Sequence, residues 1–126
     1  MEHVEINSKR HYFNPKLANL YGIDEAIMLN HLMFWIASNS MHGKNFHDGR
    51  FWTYNSASDF IKYLPYWTES QIYRILKSLK DQNIIIVGNY NRSPFDQRNW
   101  YALRDEKHFL TNFNPFDESE ECKRQY

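Results

Sequence analysis

A chain of 126 residues, 42% apolar and 17% aromatic, is sized for one compact domain with a modest core. Its single cysteine, Cys122, excludes an intrachain disulfide and a cysteine-rich zinc site; the polar start lacks the apolar stretch of a secretory signal, so a soluble cytoplasmic protein is expected. Formal charge is zero, yet residues 50–104 carry eight basic against four acidic side chains and residues 105–126 carry three against six, and it is local potential that steers a polyanion.

Asn14-Pro15 reads as an N-cap and first helical residue, opening a short helix that stops near Gly22. Residues 24–37 follow, with Asp24 and Glu25 at the positive end of a helix dipole and Ile27, Leu29, Leu32, Met33 and Ile36 at helical spacing. Phe34 and Trp35 make this helix apolar nearly all round, so it is expected either at the centre of the core or at a homodimer face, with Met28, Leu32 and Trp35 at that face or covered by the chain's own aromatics. Interrupted by Asn30 and His31, it is too short to span a bilayer, and no membrane partner is expected. Residues 38–49 read as a loop by composition, and 50–55 as a strand.

Ser56 is a cap candidate for a helix that puts Ala57, Phe60, Ile61 and Leu64 on one face and ends at Pro65. Thr68-Glu69-Ser70-Gln71 fits a capping box for helix 69–82, whose apolar stripe is Ile72, Ile75, Leu76 and Leu79. Asn83 stands where that helix needs a left-handed residue. Residues 84–91 and 100–104 read as strands joined by a turn-rich tip, 92–99. Residues 111–126 are acidic and aperiodic, which predicts a mobile tail after a domain spanning 1–110. The predicted fold class is α+β, mostly helical: a winged helix-turn-helix with a short N-terminal helical extension.

In a helix-turn-helix the second helix enters the major groove, N-terminal residues first. Here Ser70, Tyr73, Arg74 and Lys77 share one face opposite the stripe. Thr68 and Gln71 stand at the capped end, where free N–H groups suit a phosphate. Gln and Arg are suited to bidentate contacts with adenine and guanine. Residues 89–99 are the expected wing on the DNA backbone; there Asn91, Arg92 and Arg98 bracket the hairpin tip with side chains that contact phosphate and sugar, and Pro94 stiffens it. These nine residues are the candidate double-stranded DNA contacts; Glu69 is the one acid near the helix start. Phe51, Trp52, Tyr54, Tyr66, Trp67, Trp100 and Tyr101 lie on strands and at the turn, and are read as packing rather than as a stacking platform for single strands. The pair His42 and His47, with Asp48 adjacent, lacks a further sequence-local ligand at a recurring spacing, so no metal is expected. Phosphate-loop, "HExxH" and "GxSxG" patterns are missing; neither an enzyme nor a cofactor is expected. The alternatives are a transcriptional regulator without a replication role and a protein-interaction winged helix, the latter with Asp117, Glu118, Glu120 and Glu121 mimicking nucleic acid or covering the basic face.

Several motifs also carry a likeness. Trp52-x-Tyr54-Asn55-Ser56, the turn Leu64-Pro65-Tyr66-Trp67, the helix Gln71-Ile72-Tyr73-Arg74-Ile75-Leu76, the strand end Gly88-Asn89-Tyr90-Asn91 and the return Asp96-x-x-x-Trp100-Tyr101 follow one another in order. Residues 10–105 thereby resemble the N-terminal winged-helix domain of phage and mobile-element replication initiators, the replisome organisers. The resemblance implies double-stranded DNA binding, often at an origin, through the recognition helix and wing, beside a replication-machinery protein. The return differs from the family's usual Asp-Arg-Thr-x-Trp-Tyr in having its arginine one position later, at Arg98.

Overall fold

A computed structural model describes residues 11–113; the roles considered for Asp117, Glu118, Glu120 and Glu121 fall outside the described residues. Asn14 accepts a hydrogen bond from the Lys16 N–H at 2.9 Å, and Pro15 occupies the first turn of α1 (Pro15–Tyr21). α2 (Ile23–His42) runs past its expected end at Ala37. Ser38, Asn39 and Ser40 read as loop because such side chains compete with helical backbone. Tertiary contact wins here: the Asn39 amide donates to the Trp52 carbonyl at 2.8 Å. Gly43, at φ 64°, then closes the helix by donating to the Asn39 and Ser40 carbonyls.

The expected loop also hides a hairpin. β1 (Phe46–His47) pairs with β2 (Arg50–Phe51) around Asp48-Gly49, whose φ values of 52° and 77° are those of a two-residue primed turn. The expected strand 50–55 is consequently two pieces, β2 and β3 (Thr53–Asn55), parted at Trp52. The Trp52 indole donates to the His47 carbonyl at 2.8 Å, turning the chain there.

α3 (Ala57–Tyr63) begins in a capping box: Ser56 Oγ accepts from the Asp59 N–H, and the Asp59 carboxylate accepts from the Ser56 N–H at 2.9 Å. That backbone bond, chiefly, holds the Asp59 carboxyl below its ordinary pKa. A turn with Leu64 and Trp67 buried leads to α4 (Glu69–Asp81). Its reciprocal box has Thr68 Oγ1 accepting from the Gln71 N–H at 3.2 Å and Gln71 Oε1 accepting from the Thr68 N–H at 2.8 Å. Replacing Thr68 with Ala should lower stability by about 1 kcal/mol, read as a lower urea midpoint at unchanged slope. Beyond α4, Asn83 takes the left-handed conformation at φ 62°, as its position required.

β4 (Ile85–Gly88) and β5 (Asn99–Leu103) complete a three-stranded antiparallel sheet in the order β3-β5-β4. β4 stops at Gly88 rather than Asn91, because the Asn91 side chain turns inward to close the connecting loop. The protein is therefore α+β and dominated by helix. α5 (Glu106–Leu110), which the sequence did not lead us to expect, is capped by Asp105 and tied back through Glu106, which accepts from the Phe51 N–H at 2.9 Å. Phe113 packs against the core, so the packed chain extends three residues into the stretch assigned to the tail, residues 111–113.

The central strand β5 shows why the core has two parts. Tyr101 and Leu103 face the helices and join Leu32, Ile36, Phe60, Ile72, Ile75 and Leu79; Trp100 and Ala102, pointing the other way, pack with Trp52, Tyr54, Ile86 and Tyr90. The aromatics expected to pack mostly do so, but Tyr66 is half exposed. Met28 and Leu32 are fully buried within one chain, and Trp35 meets Tyr63 edge-on at 5.6 Å. The two aliphatic side chains considered for a homodimer face are thus used inside the protomer. No helix among the described residues is long and apolar enough to cross a membrane.

Candidate functional site

α4 buries Ile72, Ile75, Leu76 and Leu79 against α2, α3 and the sheet, so the opposite side of its cylinder faces outward. Ser70, Tyr73, Arg74 and Lys77 are all exposed, Tyr73 at 48%, and form the expected row. Thr68, also exposed, and half-buried Gln71 are occupied by the cap. A bidentate contact to adenine needs the Gln71 carboxamide oxygen, which the Thr68 N–H already holds. Gln71 is therefore a support for the helix start in this arrangement.

The cations of the row have carboxylate neighbours. Lys77 Nζ donates to Asp81 Oδ2 at 2.6 Å, one helical turn on. Arg74 lies 3.7 Å from Asp24, which arrives from the first turn of α2. Glu69 was expected to be the single acid near this end; helix packing adds Asp24, which sequence distance concealed. Both pairs are exposed and contribute little to stability, so either cation can exchange its partner for a phosphate at small cost.

The β4–β5 loop, residues 89–98, is organised by its own side chains. Asn91 Nδ2 donates to the carbonyls of Asp96 and Arg98 at 2.9 and 2.7 Å, and the Trp100 indole donates to Asn91 Oδ1 at 2.6 Å. The Arg98 guanidinium clasps the Asp96 carboxylate at 3.0 and 2.6 Å and lies 4.5 Å over the Tyr54 ring. This contact keeps the Asp96 carboxyl below its usual range and raises Arg98 above its own. Of the loop residues expected to reach DNA, Asn91 and Arg98 thus hold the loop in shape. Arg92 is exposed and forms no ion pair among the described residues.

A cleft of about 340 Å³ joins the two elements, lined among others by Ser58, Glu69 and Tyr73 on the helical side and Gln97, Arg98 and Asn99 on the loop side. Behind the loop, the β1–β2 hairpin supplies support that sequence reading missed. The His47 ring stacks on Tyr90 at 4.4 Å with planes 8° apart, and the Tyr90 hydroxyl donates to the Asp48 carboxylate. That hydrogen bond, foremost, raises the Tyr90 pKa. The signal was present as Asp48-Gly49 between Phe46-His47 and Arg50-Phe51, a hairpin dipeptide. Among the described residues, no group of three or more His, Cys, Asp or Glu side chains is placed to hold a metal. Comparison with protein-family models, curated proteins and solved structures finds no match to this chain.

Proposed function

We propose that the chain is a winged-helix module that binds double-stranded DNA, with α4 in the major groove and the 89–98 loop as the wing along the neighbouring backbone. The observation that carries the reading is one juxtaposition. An outward polar row on the second helix of a helix–turn–helix pair stands across a polar cleft from a loop between two strands of a β3-β5-β4 sheet. Arg74, Lys77 and Arg92 are the cations available to phosphates, and Ser70 and Tyr73 the side chains nearest the leading turn. The resemblance to phage and mobile-element initiators narrows the proposal to replication initiation.

The test is binding to mixed-sequence duplex across a salt series. Observed affinity should fall with salt at a log–log slope of about −0.9 for each phosphate neutralised. Arg92→Ala should reduce that slope by about one while weakening binding uniformly across sequences. A protein-interaction domain is the second reading, favoured by the carboxylates facing Arg74 and Lys77. Failure to retain any duplex at about 50 mM salt, where phosphate contacts are strong, would select it.

A further inference from the structure

Phe95, at the tip of the wing, has 91% of its surface exposed, more than any other large apolar side chain described. Isolated apolar residues on a surface are ordinary. This one stands out because of its mounting. Loop tips that wander in solvent are usually small and polar. Here the Phe95 N–H donates to Ser93 Oγ at 3.2 Å, the Asp96 N–H donates to the Ser93 carbonyl at 3.2 Å, and the Asp96–Arg98 and Asn91 contacts close the loop beneath. Pro94 fixes the backbone just before the ring. The ring is therefore held out on a braced support, with the exposed cation Arg92 close by in the chain.

We infer that Phe95 is a wedge that enters the minor groove and partly unstacks one base step when α4 occupies the adjacent major groove. The inference rests on the DNA-binding reading and adds to it a deformation of the duplex. With α4 in the major groove, a loop reaching past the flanking backbone meets the minor groove, which is narrow and attracts arginine. A phenylalanine carried there between bases kinks DNA by roughly 20–90° and unstacks the step it enters. Pyrimidine–purine steps such as TA yield most easily, so the wedge would favour A·T-rich flanks without reading base edges. For a protein acting at an origin, a locally unstacked step is a starting point for strand opening.

The experiment uses the full chain and a mixed-sequence duplex carrying 2-aminopurine at its TA steps, with binding followed by anisotropy in the same sample. Wild type should bind and raise 2-aminopurine emission. Phe95→Ala should bind within about tenfold of wild type yet give little rise, since wedge insertion trades unstacking against added contact. Phe95→Leu, another wedge-forming side chain, should keep most of the rise. Residue 95 touches no core, so both variants should fold as wild type does. Binding without an emission rise, or an equal rise with Phe95→Ala, overturns the wedge and leaves DNA binding standing. No anisotropy change at low salt overturns both.

Discussion

Leu79→Ala should destabilise the protein by about 2–5 kcal/mol, a large share of the 5–15 kcal/mol that holds a typical domain folded. Leu79 is fully buried in the last turns of α4, within the cluster that includes Leu32, Ile75 and Leu103. Truncation there removes apolar transfer energy and leaves a cavity whose walls come from different elements and cannot all move inward together. Urea unfolding should report the loss as a lower midpoint with unchanged slope. A cost below about 1 kcal/mol would mean that α4 is not seated on the core, and the outward row would lose its fixed orientation.

Asn91→Ala should cost about 1–3 kcal/mol, unusually much for a residue in a surface loop. It deletes two donors to loop carbonyls and the acceptor for the Trp100 indole, whose residue is only 6% exposed. An indole N–H left without a partner in that setting carries a full desolvation penalty. The measurable signs are a lower urea midpoint, altered tryptophan emission and faster amide exchange in residues 89–98. Asn91→Asp separates the contributions, because it keeps an acceptor for Trp100 while losing both donors. If neither variant changes exchange in residues 89–98, the loop is held by something other than these bonds.

The helices were legible in the sequence where local chemistry decides them. Asn14, Ser56 and Thr68 sit at observed N-caps, Asn83 adopts its left-handed turn, and the α4 stripe is buried. What escaped was set by partners far along the chain. The last turn of α2 depends on Asn39 reaching Trp52, and β4 is cut short by Asn91. The Asp48-Gly49 hairpin was readable from its dipeptide, but the polar composition around it suggested a plain loop. In the candidate site, exposure of Ser70, Tyr73, Arg74 and Lys77 follows from periodicity alone. Occupancy does not: Gln71, Asn91 and Arg98 have the side-chain types of DNA contacts but are engaged in internal bonds, and Asp24 meets Arg74 only because α2 crosses α4. Spacing shows which side chains face outward, while their existing partners emerge only from the folded chain.

The stack of His47 on Tyr90 ties the β4–β5 loop to the β1–β2 hairpin that follows α2. A long surface loop ordinarily loses conformational entropy when a partner fixes it, and that loss subtracts from affinity. In this protein much of the ordering already accompanies folding, so the β4–β5 loop is pre-organised. A change that frees Tyr90 should therefore weaken the proposed DNA binding even though Tyr90 itself need never touch the duplex.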